Sequence, residues 1–416
     1  MARPTGKVRR MNKEKVTLSP CPFTFLPYIF AMHMPIPSIE AGFSKPRSQT
    51  RIVVAMSGGV DSSVTAALYA EAGYDVVGIT LQLYDDGAAQ GRVGACCAGQ
   101  DIHDARRVAA HLGIAHYVLD YENRFRNEVI EDFADSYLRG ETPVPCITCN
   151  QTVKFRDLMA AAKGLSADAL ATGHYVRRVD GAAGAEMHRA HDPARDQSYF
   201  LFATTQEQLS FLRFPLGDIA KNDVRGHGER LGLAVSEKPD SQDICFVPGG
   251  NYASVIERLR PGAAEPGDIV NRAGDVLGRH KGIIHYTIGQ RRGLGIGAPE
   301  PLYVIGVNAA KRHVTVGPKA ALLCDRVMLG RSLFLDHGVT SGRAQDVTVR
   351  LRSTHPGASA RLIIGENGSA EIRLSQPEAA TARGQAAVCY RGDRLLGGGW
   401  ITGTGRSSAL ESAAAA

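Results

Sequence analysis

Between Arg51 and about residue 250, short apolar runs alternate with stretches in which apolar residues return every three or four positions. Ile52-Val53-Val54-Ala55-Met56 is an uninterrupted apolar run of the kind a strand shows when both faces of a parallel sheet are covered. Ser57-Gly58-Gly59-Val60-Asp61-Ser62-Ser63 follows, and Val64 to Ala72 then takes up helical spacing, so the opening reads strand, glycine loop, helix. The pattern predicts further strands over Asp75 to Leu83, Ala115 to Leu119 and Ala169 to Thr172. Between them it predicts helices over Ile102 to Leu112, through Arg139, and from Gln151 to Ala162. Strands alternating with helices predict an α/β domain built on a doubly wound parallel sheet over residues 51–250.

After residue 250 the texture changes to short β-like segments punctuated by glycine, such as Tyr303-Val304-Ile305-Gly306-Val307 and His313-Val314-Thr315-Val316-Gly317. Ala370 to Leu374 and Ala386 to Tyr390 continue the style. The expectation is a small β-rich central domain over 251–320 and a C-terminal β-barrel over 321–405. Residues 1–50 read as a basic, poorly ordered extension, and 406–416 as a flexible low-complexity tail.

Composition excludes some classes. With 416 residues, 44% hydrophobic and 22% charged, the chain is neither disordered nor fibrous as a whole and has apolar material for two or three domains. The net charge of +6 hides an asymmetry: residues 51–250 carry 19 basic and 27 acidic side chains, residues 251–320 carry 10 and 5, and residues 321–416 carry 11 and 8. A polyanionic partner would therefore dock on the back half, the alternative being solvated charge without a partner. Cys21 to Met34, the most apolar N-terminal stretch, is interrupted by Pro22 and Pro27 and falls short of the roughly 20 apolar residues of a spanning helix. No membrane association is expected, and Met32 or Met34 could serve as the start. Eight cysteines are too sparse for a disulfide scaffold and no secretory signal precedes them, which points to a reducing cytoplasm.

The glycine loop is the first motif with chemistry in it. Its two glycines permit a tight turn that brings backbone N–H groups onto a phosphate, the serines add donors, and the following helix presents its positive end. It matches neither G-x-x-x-x-G-K-[ST] nor G-x-G-x-x-G, so it lacks the fingerprints of Walker NTPases and of dinucleotide-binding folds. The plain alternative is an ordinary β–α turn. Next comes Thr142-Pro143-Val144-Pro145-Cys146-Ile147-Thr148-Cys149-Asn150, followed by Lys154-Phe155. Two prolines before a predicted helix should put Cys149 near a helix N-terminus, where the dipole lowers a thiol pKa and makes it nucleophilic. Half of a zinc site is the other reading of Cys146-x-x-Cys149, but no good second pair exists, and no metal site is expected. Cys245, in Ser241-Gln242-Asp243-Ile244-Cys245-Phe246 after Glu237-Lys238-Pro239-Asp240, would alone read as a core cysteine.

The glycine loop resembles the PP-loop of ATP pyrophosphatases. With Ala171-Thr172-Gly173-His174-Tyr175, Arg195 to Leu201, Ser241 to Phe246, Tyr286-Thr287-Ile288-Gly289-Gln290-Arg291-Arg292-Gly293-Leu294-Gly295 and Gly397-Gly398-Gly399, the order of motifs is similar to that of the tRNA-specific 2-thiouridylases from about Arg51 to Thr402. That resemblance implies an ATP-dependent sulfurtransferase acting on the wobble uridine of tRNA. ATP adenylates the 2-oxo group, a persulfide on Cys245 supplies sulfur, and Cys149 acts as nucleophile, leaving a transient Cys149–Cys245 disulfide. It implies ATP contacts from Ala55, Met56, Ser57, Gly58, Gly59, Val60, Asp61, Ser62, Leu81 and Gly173, with Mg²⁺ accompanying the nucleotide. It implies tRNA contacts from His174, Arg195, Asp196, Gln197, Arg350, Leu351 and Gln385. The partners it implies are tRNA, a sulfur-donor protein and a reductant for the disulfide.

One departure stands out. Many relatives read Thr-Pro-Asn-Pro-Asp before the cysteine, and here the Asn and Asp positions are Val144 and Cys146. A thiol is a poorer proton carrier at neutral pH than a tuned carboxylate, so either Cys146 is a bystander or the proton moves through water. Two other functions compete: a PP-loop ligase delivering ammonia to an adenylated substrate, for which the chain shows no ammonia source, and a tRNA-binding protein with a vestigial nucleotide loop.

Overall fold

The computed structural model describes residues 39, 42–84, 97–240, 244–335, 338, 342–365, 368–379 and 381–407. The N-terminal extension up to residue 38, Cys21, Cys96, Ser241 to Asp243 and the tail from residue 408 lie outside the described residues.

The first region contributes strands β1 (Arg51–Ala55), β2 (Asp75–Gln82), β3 (Ala115–Asp120), β4 (Ala169–Ala171), β5 (Val176–Gly181), β6 (Gly184–Arg189) and β7 (Leu212–Arg213). Five of them form a parallel sheet in the order β3-β2-β1-β4-β7. The apolar run of β1 is buried on both faces as its pattern requires. Ile52 and Val54 pack with Val64 and Leu68 of helix α1 (Val60–Glu71) and with Ala105 and Val108 of helix α2 (Cys97–Leu112). Val53, pointing the other way, packs with Phe155, Leu158 and Ala162. Helices on both faces of a parallel sheet are the predicted α/β architecture.

The central region is a four-stranded sheet of β8 (Gly267–Val270), β9 (Val276–His280), β10 (Tyr303–Asn308) and β11 (His313–Gly317), in the order β10-β11-β8-β9. The last region is a closed barrel of β12 (Cys324–Phe334), β13 (Gln345–Arg350), β14 (Ala358–Ile364), β15 (Ala370–Glu378), β16 (Ala386–Arg391) and β17 (Arg394–Gly405), ordered β12-β15-β14-β13-β16-β17 and closed by β12 against β17. No helix among the described residues is long and apolar enough to cross a membrane.

The three regions are less independent than their sequence boundaries suggest. Hairpin β5–β6, which sequence periodicity does not single out, leaves the first region's sheet and joins the barrel, His188 pairing with Arg394 of β17. Ala386, Val388 and Tyr390 of the barrel share a core with Leu170, Tyr199 and Phe202. Phe125, Phe133 and Cys149 share another with Val255, Ile269, Val304 and Val314 of the central region. A chain cut near residue 250 would expose both cores, so the front half is not a unit that can be tested alone.

A buried ion pair pins the barrel in place. Arg350 Nη1 lies 2.7 Å from Asp196 Oδ2, with side-chain exposures of 13% and 4%. Asp196 also accepts from the Ser198 hydroxyl at 2.9 Å, and that hydroxyl meets the Tyr390 hydroxyl at 3.0 Å. Removing one member leaves the other charge desolvated and unpaired. Asp196→Ala is expected to cost about 3–5 kcal/mol of stability, measured from urea unfolding. A loss below about 1 kcal/mol would show that the pair does not hold the joint.

Candidate functional site

β1 ends at Ala55, and Met56 is held to the sheet by its N–H donating to Ile79 O at 2.8 Å. The chain then turns through Gly58 at φ +76°, where an added Cβ would lie 2.1 Å from the Asp101 carbonyl oxygen. Serines close the loop: Ser57 N–H donates to Ser62 Oγ at 3.1 Å, while the Ser62 and Ser63 hydroxyls donate to Gly59 O at 3.2 and 2.8 Å. Helix α1 starts at Val60 without a side-chain cap, so its first turn presents amide donors to an anion. Gly173 lets β4's exit pass close by, since a Cβ there would stand 2.8 Å from Asp61 C and Ser62 N. The loop therefore has the shape and donors of a phosphate cradle.

A charged network braces it. Asp61 accepts from the Tyr175 hydroxyl at 2.7 Å and from Lys221 Nζ at 2.7 and 2.9 Å. Lys221, with 7% of its side chain exposed, also reaches Asp240 at 2.8 Å, and Asp240 pairs with Arg195 at 2.7 Å and Arg225 at 3.2 Å. Burial pushes the Asp240 carboxyl up, but the hydrogen bonds and charges of Lys221 and Arg195 outweigh it and hold the group below the usual carboxylate range. Lys238 Nζ donates to Gly58 O at 3.1 Å and to Asp101 and Asp104 at 2.7 and 2.6 Å. The Glu237–Asp240 turn that leads toward Cys245 is thus clamped to the glycine loop. Tyr175 and Lys238 sit in motifs visible in the sequence, but nothing there flags Lys221, whose role depends on its helix, Lys221–Arg230, packing beside α1. Among the described residues no group of three or more His, Cys, Asp or Glu side chains forms a metal cage.

The cysteines lie on the other side of the same sheet end. A continuous helical stretch runs Pro145–Cys149, then Asn150–Asp157 as a π-helix, then Leu158–Gly164, with Pro145 in the first turn as proline's missing N–H allows. Cys149 ends the first segment, is 6% exposed, and packs in a cluster with Phe125, Val153, Phe246 and Val247. Phe246 and Val247 immediately follow Cys245, and Phe246 is anchored edge-on to Phe125 and Phe133 at 5.8 and 5.2 Å. Cys245 directly precedes this anchor, and the two cysteines act on each other electrostatically, which puts the exposed Cys245 beside the cluster that holds the buried Cys149. Lys154 feels the charge of Cys149, Cys146 and Cys245 together, and these raise its ammonium pKa against the opposing effect of burial.

The expected lowering of the Cys149 pKa is not what this geometry produces. Burial pushes its thiol up, and Lys154 offsets only part of that rise. The residue is a full turn inside a covered helix, where dipole stabilisation fades and desolvation dominates. Although the Cys245 residue is exposed, the protein packed around its sulfur and the neighbouring Cys149 push the thiol up to about 12, again opposed by Lys154. Alkylation of Cys149 should therefore rise with pH through and beyond the ordinary thiol range. Lys154→Met should move that profile further up and slow alkylation at fixed pH by about tenfold per unit moved. Mass-spectrometric alkylation kinetics across pH check this, and an unmoved profile would remove Lys154 from the thiol pocket.

The remaining sequence-derived positions fall into two groups. Leu81 packs where the two apolar clusters meet. His174 lies in the wall between cradle and cysteines, edge-on to Phe155 and Phe214 at 5.9 and 6.5 Å, and burial with Lys154 nearby lowers its pKa to about 3, so it is neutral. Arg195 faces Asp240, and the Gln197 side-chain oxygen accepts from Tyr175 N–H at 2.8 Å. Gln385 Nε2 donates to Thr142 O at 3.4 Å, tying the barrel to the loop before Pro145. Asp196, as above, and Leu351, 2% exposed, are buried. Asp196 holds the joint with the barrel through Arg350, and Leu351 packs in the barrel core.

Residues 50–249 match the tRNA methyl transferase HUP domain family, 255–318 the tRNA methyl transferase PRC-barrel domain and 334–401 the aminomethyltransferase β-barrel domain. A relative from Rhodospirillum centenum, named tRNA-specific 2-thiouridylase MnmA, is 62% identical over 380 residues, covering 89% of this chain and 96% of its own. Relatives of the same name from Paracoccus denitrificans and Methylobacterium radiotolerans are 61% and 59% identical, covering 87% and 86% of this chain and 94% of each of theirs. Identity at this level across all three regions, with the glycine loop and both cysteine segments in place, makes this chain a member of the tRNA-specific 2-thiouridylase family.

Proposed function

We propose that this protein is an ATP-dependent tRNA-uridine 2-sulfurtransferase, which replaces the 2-oxo group of a wobble uridine with sulfur and releases AMP and pyrophosphate. The observation that carries the reading is the convergence of Cys149 and Cys245 on Lys154 at the end of the sheet that also bears the glycine loop. A uracil oxygen is a poor leaving group until it is adenylated. The loop amides and serines would hold the ATP phosphates, and Mg²⁺ would arrive with them, Asp61 being the loop's carboxylate. The terminal sulfur of a Cys245 persulfide attacks C2 and AMP departs. Cys149 thiolate then attacks the Cys245 sulfur, releasing 2-thiouridine and forming the Cys149–Cys245 disulfide. A reductant restores both thiols, and a donor protein reloads Cys245 in the cytoplasm.

Docking of tRNA is assigned mainly to the basic back half, where Arg291 and Arg292 are exposed. Affinity of the full chain should then fall with salt, each neutralised phosphate contributing about 0.7–0.9 to the log–log slope. The deciding experiment follows pyrophosphate, AMP and thionucleoside in parallel, with ATP, a sulfur source and unmodified tRNA. Stoichiometric AMP and 2-thiouridine support the reading. Pyrophosphate stimulated by small carboxylates and ammonia, without thionucleoside, would make the chain a ligase, and tRNA binding without pyrophosphate would make it a binding protein. Both alternatives leave the paired cysteines without a task.

A further inference from the structure

The turn Pro145–Cys149 carries two thiols, and the reaction above uses one of them. Cys146 precedes Cys149 by three positions, and side chains so spaced on a helix have Cβ atoms about 5–6 Å apart. A disulfide needs about 3.5–4.5 Å, a difference that a small adjustment of the first turn can supply. Cys146 is half-buried, whereas Cys149 is buried and Cys245 exposed. The three sulfurs also act electrostatically on one another and on Lys154, which places them in one cluster.

We propose that Cys146 is the resolving thiol of this enzyme, attacking the Cys149 sulfur of the Cys149–Cys245 bridge to form Cys146–Cys149 and release Cys245. The inference rests on the sulfurtransferase reading. One S–S bond breaks and one forms, Cys146 gives up a proton and Cys245 gains one, and no net electrons move. A dithiol reductant then supplies two electrons to the Cys146–Cys149 bridge and returns both to thiols.

Vacating the sulfur-accepting thiol is the physical reason for such a step. A Cys149–Cys245 bridge ties up the exposed cysteine that must take the next sulfur, while its other sulfur sits buried in the apolar cluster. Exchange within one helical turn frees that segment to accept its next sulfur. The remaining bridge then joins the buried Cys149 to the half-buried Cys146, through which the dithiol reaches it. Lys154, beside all three sulfurs, stabilises whichever one carries the negative charge.

The test uses full-length protein, loaded with persulfide and taken through turnover without reductant, then acid-quenched, alkylated and mapped under non-reducing conditions. The wild type should show the Cys146–Cys149 bridge in at least about tenfold excess over Cys149–Cys245, with Cys245 alkylated. Cys146→Ala should stop at Cys149–Cys245. With limiting dithiol it should give a burst of about one thionucleoside per site followed by a steady state at least about tenfold slower than wild type. Cys149–Cys245 as the dominant wild-type bridge, or an unslowed steady state in Cys146→Ala, overturns the proposal. A second arm equilibrates wild-type protein with a dithiothreitol redox series without tRNA, where the Cys146–Cys149 bridge should again dominate. Failure to form thionucleoside would sink the sulfurtransferase reading alone, because this second arm still decides whether the thiols exchange as proposed.

Discussion

Cys245→Ser protein should take up no labelled sulfur from a donor, whereas Cys149→Ser protein should become labelled, and both should lose tRNA thiolation by about 10⁴-fold or more. The asymmetry follows from position. Loading requires a thiol that a partner protein can approach, and Cys245 is exposed while Cys149 is 6% exposed within an apolar cluster. Cys149 is needed later, when sulfur must leave Cys245 and a second thiolate must take its place. Serine keeps the size of each side chain but cannot form a persulfide or a disulfide, so neither variant should unfold. Adenylation should survive in both, because the glycine loop is built from different residues. Quantifying protein-bound sulfur after gel filtration, beside AMP release, reads the two steps separately. Label on Cys149 in place of Cys245 would reverse the assignment.

Gly58→Ala should abolish the nucleotide half-reaction, with AMP and pyrophosphate formation reduced by at least about 100-fold, the loss expected when a reacting group is misplaced by about 1 Å. Two effects act together. The residue sits at φ +76°, a conformation costly for any side chain with a Cβ, and that Cβ would stand 2.1 Å from the Asp101 carbonyl oxygen. The Asp101 backbone belongs to helix α2, and Lys238 joins the Asp101 carboxylate to Gly58 O, so neither side can yield without disturbing the network around the loop. Affinity for tRNA should change less than about twofold, since tRNA docking is assigned mainly to the basic residues after position 250. Thermal unfolding distinguishes a local defect from a global one. A Gly58→Ala protein that is folded and releases pyrophosphate at the wild-type rate would mean that the loop does not cradle phosphate.

The parallel sheet, its flanking helices and the glycine loop were legible in the sequence because each depends on neighbours a few residues away. Ile52 to Val54 are apolar on successive positions because both faces of β1 are covered, and that signature needs no knowledge of what covers them. The glycine loop is similarly local, being one strand end, one turn and one helix start. The cysteines could be picked out as reactive types in motif context, but their titration could not: proline and helix position suggested a lowered pKa for Cys149, and burial reversed the sign. Desolvation is a sum over everything packed around a group, including Phe246 and Val247, which lie far along the chain. Lys221 beside Asp61, Asp196 against Arg350, the β5–β6 hairpin on the barrel and Cys146 within the thiol cluster are likewise pairings across long sequence separations. Periodicity and turn chemistry act over short range, so the elements and the kinds of chemistry they carry can be read along the chain. Which charges are buried together and which sulfurs meet emerges only on packing, because burial and proximity belong to the folded whole.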